Sequence, residues 1–189
     1  MLQLQNKILT LISFLVLFFV FTADLEAQSY ITEEGYVEFK SSAPLLTFKG
    51  TSNHLTGLID LDQNLVDFYI DLNTLDTGIN LRNRHMRNSY LETDKFPFAE
   101  FTGSMNSIFD PESDGKQEVT VVGEFTIHGV TREMEITGTL ERVSDEIELI
   151  ATWTVLLEDH NIDRPSVIFY ELAEEQEVTI KALLKLQND

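Results

Sequence analysis

The chain has 189 residues, a length typical of one domain, with 13 basic against 32 acidic side chains and a formal net charge of -19. It contains no cysteine, which excludes a thiol nucleophile, a disulfide and a zinc-thiolate or iron–sulfur site. A surface this acidic repels phosphate, so we expect no binding to nucleic acid. The hydrophobic content of 43%, with 13 phenylalanines, favours a folded domain over a disordered chain.

Residues 1–27 have the pattern of a secretory signal peptide. Lys7 precedes an apolar run of about 14 residues from Ile8 to Phe21, which is short of the roughly 20 residues of a membrane-spanning helix. A polar stretch ending at Ala27 follows. We expect cleavage near this alanine and export to the periplasm or the medium, with an uncleaved anchor as the alternative. Without Lys7, Asp24 and Glu26, the remaining domain, residues 28–189, has 12 basic and 30 acidic side chains, a net charge of -18.

Alternation of apolar and polar residues with a period of two predicts about eight strands after residue 30. Short turns rich in Asp, Asn, Gly and Pro separate them, which favours antiparallel hairpins in a sandwich or a closed barrel. Closure is the simpler way to protect both edges of the sheet. The predicted strands lie around residues 35–40, 45–49 with 54–61, 65–75, 98–108, 118–128, 131–142, 146–157 and 177–186.

Two segments interrupt the alternation. Residues around 80–90 predict one short helix, and residues around 158–173 predict a long irregular connection. A connection of this length inside a compact domain is often a functional lid. The two segments are therefore the candidates for control of entry to the barrel.

Several motifs in this chain resemble those of the YceI-like family. They are Phe48 to His54 (FKGTSNH), Arg82 to Arg87 (RNRHMR), Tyr90 to Glu92 (YLE), Lys95 to Phe101 (KFPFAEF) and Phe125 to Thr131 (FTIHGVT), in the same order as in the family. The resemblance implies an eight-stranded antiparallel, lipocalin-like barrel in a secreted or periplasmic protein. It also implies that a long lipophilic molecule, a polyisoprenoid or a related amphiphile, binds inside the barrel.

The alternation places a set of large apolar side chains on one face of the predicted strands, where they would line the barrel interior. An eight-stranded barrel is near the size at which the interior is either just filled or holds one ligand. The pattern leaves a packed core and a ligand cavity both open, and the resemblance favours the cavity. The predicted ligand-binding residues are Val66, Phe68, Ile70, Leu72, Phe101, Phe125, Ile127, Trp153, Val155 and Ile180.

Three arginines, Arg82, Arg84 and Arg87, surround His85 on the predicted helix and form a cluster with it. Arginine binds anionic groups in a bidentate manner, so the cluster could hold a lipid head group at the barrel mouth. Two structural alternatives remain: the arginines neutralise nearby carboxylates, or His85 plugs the barrel.

No motif in the chain predicts catalysis, a cofactor or a metal. The four histidines lack local ligand spacing, and the sequence of Glu158, Asp159 and His160 does not by itself make the groups converge as general acid/base chemistry requires. We expect a passive carrier of an isoprenoid or fatty lipid, with transient membrane contact for lipid exchange; a homodimer is compatible with the sequence. The rival hypotheses are a lipid hydrolase or isomerase with His85 or His160 as base, and a ligand-free interaction module.

Overall fold

The computed structural model describes residues 28–164 and 172–187, and these form a closed barrel of eight antiparallel strands. Each strand pairs with its neighbours in sequence order, and β1 pairs with β8 to close the sheet, for example at Val37 opposite Ile180. The prediction of an eight-stranded antiparallel barrel with one short helix is confirmed. The strands are β1 Ser29–Ser42, β2 Thr47–Asp60, β3 Leu65–Asp71, β4 Phe98–Met105, β5 Gln117–Ile127, β6 Val130–Val143, β7 Glu146–Leu156 and β8 Glu175–Leu186.

The helical elements all lie at one end of the barrel. A 3-10 turn, Leu72–Thr74, follows β3, and helix α1, Asn80–His85, continues into a wide π turn, Met86–Tyr90. A second 3-10 turn, Glu158–His160, follows β7. We call this the helix end of the barrel. At the opposite end, the described residues form the turns between β2 and β3, β4 and β5, and β6 and β7, together with the start of β1 and the end of β8.

The predicted third strand is longer than the observed one. β3 ends at Asp71, whose carboxylate accepts a hydrogen bond of 2.9 Å from the backbone N–H of Asn73 and so begins the 3-10 turn. Leu72 therefore leaves the sheet but stays buried. Beyond it, Asp76 forms paired backbone hydrogen bonds with Thr51 of β2, both 2.9 Å, so that this segment continues the wall where β3 has ended.

Close backbone approach between β4 and β5 depends on two inward-facing glycines. Gly103 and Gly123 are directly opposite each other in the ladder. A Cβ atom at Gly123 would lie 2.3 Å from the carbonyl oxygen of Thr102, a distance that real side chains do not adopt. Only glycine fits this crossing without a shift of the backbone.

The predicted irregular connection around 158–173 is described in part. Its first residues form the second 3-10 turn and a left-handed residue, Asn161, with φ of 54°. Residues 165–171 lie outside the described part of the chain, as does the predicted signal peptide, residues 1–27. In the ranges that are described, none of the helices is long and apolar enough to cross a membrane.

Candidate functional site

A cavity of about 210 Å³ occupies the barrel interior. Its lining is almost entirely apolar and comes from the inward faces of all eight strands together with residues of the helix end. The ten residues predicted from the alternation all lie in this lining, which contains Val66, Phe68, Ile70, Leu72, Phe101, Phe125, Ile127, Trp153, Val155 and Ile180. The side chains of residues 28–164 and 172–187 thus leave the barrel interior partly unfilled.

The cavity is closed at the end opposite the helix. Ile59, Leu140, Ile147 and Leu184 meet there with at most 1% of their surface exposed, and none of them reaches the cavity lining. Side chains packed to this extent leave no room for a ligand. These four residues form a plug, against which the inner end of a long molecule in the cavity would lie.

Small inward-facing residues create the space. Ala99, Gly138 and Ala151 lie in the lining. In the sheet, Ala99 is opposite Ile70 of β3, Ala151 is opposite Ile180 of β8, and Gly138 lies between Val119 and Ala151. In a barrel of this size, a large side chain at each inward position would fill the interior. The alternation predicted these inward positions. The volume that they leave free depends on the combined size of the inward side chains of all eight strands.

Other lining residues come from outside the strands. The alternation placed Leu157 on the inward face of the predicted strand 146–157, but the sequence pattern did not predict the rest. Leu75, Met86, Tyr90 and Leu91 reach the cavity from the segment between β3 and β4, whereas Leu157, Ile162 and Leu172 do so from the connection between β7 and β8. Residues in irregular segments have no period-two signal, so only the folded chain shows that they face the same space.

The four residues of the predicted arginine cluster have different surroundings in the structure. Arg82 lies in the cavity lining, with its guanidinium 4.3 Å from the centre of the Phe48 ring in a cation–π contact. Arg87 instead donates a hydrogen bond of 3.0 Å to the carbonyl of Leu75 and lies outside the lining. Arg84 and His85 are exposed on the outer side of α1 and also lie outside the lining. Of the four, Arg82 alone reaches the cavity.

Helix α1 is fixed to the barrel by the side chain of Asn83. Its Oδ1 accepts hydrogen bonds from the N–H and the hydroxyl of Thr77, at 2.8 and 2.7 Å, and its Nδ2 donates to Asp76 at 2.7 Å. The donors from Asn83 and from the N–H of Gly78 stabilise the charged carboxylate, which lowers the pKa of Asp76. The network ties α1 to the segment that pairs with β2, so the helix stays over the cavity.

The histidines are placed for structural roles. His160 is 2% exposed, its Nδ1 donates to the carbonyl of Val130 at 3.0 Å, and its ring packs edge-on against Phe125. Burial lowers the pKa of His160, so the neutral ring is favoured. His128 lies between the carbonyl of His160 and the carboxylate of Glu92, with both distances 3.1 Å. Neither ring lies in the cavity lining.

No group of three or more His, Asp or Glu side chains is arranged to hold a metal ion in the described ranges. Glu158 and Asp159, the two acidic residues that precede His160 in sequence, are exposed and lie outside the cavity lining. The cavity itself is lined almost entirely by apolar side chains.

Two polar atoms are exceptions within the apolar lining. The indole Nε1 of Trp153 and the amide Oε1 of Gln176 are buried, and neither has a hydrogen-bond partner among residues 28–164 and 172–187. Trp153 was predicted from the alternation. Gln176 was not predicted, because a polar residue just before the alternating run 177–186 is typical of a loop.

Two comparisons of the sequence with known proteins find similar chains. The pattern of the YceI-like domain matches residues 27–186. A UPF0312 protein of Vibrio vulnificus is 33% identical over 107 residues, a match that covers 53% of this chain and 54% of the relative, so the chain spans about half the length of this curated relative.

Solved structures share the fold at low sequence identity. A polyisoprenoid binding domain from Saccharophagus degradans, implicated in plant cell wall breakdown, superposes with a TM-score of 0.73 at 19% identity, over 85% of this chain and 99% of that one. BcnA of Burkholderia cenocepacia gives 0.68 at 14% identity, over 79% and 95%. A YCEI protein of Campylobacter jejuni gives 0.61 at 15% identity, over 74% and 85%.

Proposed function

The chain belongs to the YceI-like domain family, and on this premise we propose that it binds the long apolar chain of a lipid, a polyisoprenoid or a related amphiphile, inside its barrel. The observation that carries the proposal is the apolar cavity, closed at one end by Ile59, Leu140, Ile147 and Leu184. The solved relative from Saccharophagus degradans, described as a polyisoprenoid binding domain, supports the class of ligand.

Binding in such a cavity is passive. Each CH₂ group transferred from water into the apolar interior contributes about 0.8 kcal/mol, offset by the entropy lost on association. A long unbranched or isoprenoid chain is favoured because it can lie along the barrel axis with its tip against the plug. The protein would then serve for transport, storage or sequestration of the lipid.

The histidine positions favour a binding protein over an enzyme. A catalytic base must lie within hydrogen-bond reach of the reacting group. His85 is exposed on the outer side of α1, and His160 is buried with its Nδ1 engaged by Val130. Both lie outside the lining of the cavity that would hold the lipid.

Export and transient membrane contact form the rest of the proposal. Export rests on the signal-peptide pattern of residues 1–27, and N-terminal sequencing of the protein recovered from the periplasm or medium tests it. At the helix end, Ile79 and Leu81 are about half exposed, and the exposed Arg84 and His85 lie on the same helix. Apolar side chains exposed at this end suit brief contact with a lipid surface, from which a chain could pass into the cavity.

The decisive test replaces a cavity residue by a larger one. Ala151 is buried in the middle of β7 and faces the cavity, so a phenyl ring at this position in Ala151→Phe would occupy the ligand's space. We expect lipid binding to fall at least tenfold while thermal unfolding changes by only a few degrees, because the ring enters an existing cavity. Mass analysis of lipid extracted from the purified protein, and titration with a C20 prenyl alcohol, measure the effect.

The matched control is Thr154→Phe, which adds the same ring on the exposed side of the same strand. It should retain the lipid and the affinity of the unmodified protein. The proposal fails if the purified protein yields no lipid and binds none, or if Ala151→Phe binds as tightly as Thr154→Phe.

A further inference from the structure

Two buried atoms of the cavity lining have no hydrogen-bond partner among residues 28–164 and 172–187, and they bear on the polar group that a bound lipid would carry. Trp153 offers one N–H donor, and Gln176 offers one carbonyl acceptor. Gln176 is 6% exposed, and a buried polar atom without a partner costs free energy unless a ligand or a water supplies one. In an otherwise apolar lining, these two atoms therefore mark the place of a polar group.

The orientation of the Gln176 amide follows from its neighbours. Its NH₂ group faces the carbonyl of Ala173 at 2.7 Å, where only a donor is favourable, and the hydroxyl of Ser41 at 3.4 Å. Ser41, which is fully buried, in turn accepts from the N–H of Ala173 at 3.0 Å. Exchange of the amide nitrogen and oxygen would place two carbonyls against each other, so Oε1 is the atom left for a ligand.

The donor and the acceptor share one face of the sheet. Trp153 is directly opposite Val178 in the ladder, and Gln176 is two residues from Val178 along β8, so the two are diagonal neighbours with Cα atoms about 7–8 Å apart. Their side chains are long enough to reach one small group between them. The pair lies toward the helix end, where the polar end of a chain inserted tip-first would come to rest.

The chemistry of the pair selects an uncharged group. A hydroxyl can accept from the indole N–H and donate to the amide oxygen, whereas a phosphate or carboxylate would place its negative oxygens against Oε1. Arg82, the cation that reaches the cavity lining, is held in a cation–π contact with Phe48.

We infer that the bound lipid ends in a group that both accepts and donates a hydrogen bond, in the simplest case a long-chain alcohol, with Trp153 as donor and Gln176 as acceptor. This inference rests on the proposed function. It differs from the head-group role predicted for the arginine cluster, because it places recognition on β7 and β8 and makes it selective against anions.

Trp153 is the single tryptophan of the chain, so a ¹⁵N-labelled protein gives one indole N–H signal. The delipidated full chain is titrated with geranylgeraniol, its methyl ether and its monophosphate. We expect the alcohol to bind about tenfold more tightly than the ether, which cannot donate to Gln176, and more tightly than the phosphate. The alcohol should also move the indole proton downfield, as a new hydrogen bond does.

A conservative variant isolates the donor. Trp153→Phe retains a ring against Phe125 but removes Nε1, and we expect it to unfold near the normal temperature and to bind the alcohol about tenfold more weakly. Equal affinity for alcohol and ether with an unmoved indole signal, or tightest binding of the phosphate, overturns the inference while leaving the proposed function intact. If none of the three lipids binds, the proposed function and the inference fail together.

Discussion

Replacement of Asn83 by alanine tests how the helix is held over the cavity. Asn83 is buried, and its Oδ1 receives two hydrogen bonds from Thr77. A hydrogen bond of this kind contributes a net 0.5–1.5 kcal/mol, so the two together predict a loss of about 2 kcal/mol in Asn83→Ala. For a domain of this size, that corresponds to a decrease of about 4–8 °C in the unfolding temperature.

The measurement is urea unfolding and calorimetry at neutral pH, with Asn80→Ala as the matched control. Asn80 is the exposed first residue of the same helix, so its replacement removes the same side chain without the buried network. Without the amide donor, the pKa of Asp76 should also rise toward its ordinary value, which NMR titration detects. If Asn83→Ala is as stable as Asn80→Ala, the network does not anchor the helix.

Two further predictions concern the barrel itself. Gly123→Ala would place a Cβ atom 2.3 Å from the carbonyl of Thr102, and we expect a loss of more than about 2 kcal/mol in the free energy of unfolding, measured in urea. The pKa of His160 is lowered by burial, so the unfolded chain binds a proton more readily than the folded one, and stability should decrease as the pH falls below about 6.5. His160→Asn, which keeps a donor for Val130, should flatten this dependence, whereas replacement of the exposed His54 by Asn should leave it unchanged.

Each of these predictions has a clear opposing result. A Gly123→Ala protein of normal stability would mean that β4 and β5 can separate locally at little cost. An unfolding free energy that stays constant between pH 7 and pH 5, or the same pH dependence in His160→Asn as in the unmodified protein, would show that burial of this imidazole does not couple to folding.

The class of fold follows from local information. Alternation with a period of two is a property of neighbouring residues, so it identifies the strands and their inward faces before any strand has a partner. This is why residues such as Phe68 and Trp153 could be assigned to the interior. The end of β3 was placed too late, because the turn that ends it depends on the carboxylate of Asp71 and carries no signal in the apolar pattern.

The arginine cluster shows the opposite case. Three arginines and one histidine lie close together in the sequence, yet one stacks on Phe48, one binds the carbonyl of Leu75 and two are exposed. Their different contacts depend on the direction in which each side chain leaves the backbone and on which barrel residues lie in that direction. Neither property can be read from spacing alone.

By itself, the sequence determined an acidic chain of antiparallel strands, each with one apolar face, because charge and alternation are set residue by residue. It favoured a closed barrel over a sandwich. Only the tertiary structure decided that the interior is hollow, that one end is plugged and that Trp153 and Gln176 lie together within it. The physical reason is that the free volume, and whether a hydrogen-bonding atom finds a partner, both depend on residues from many strands and loops. They exist only when residues distant in the chain have closed around the same axis.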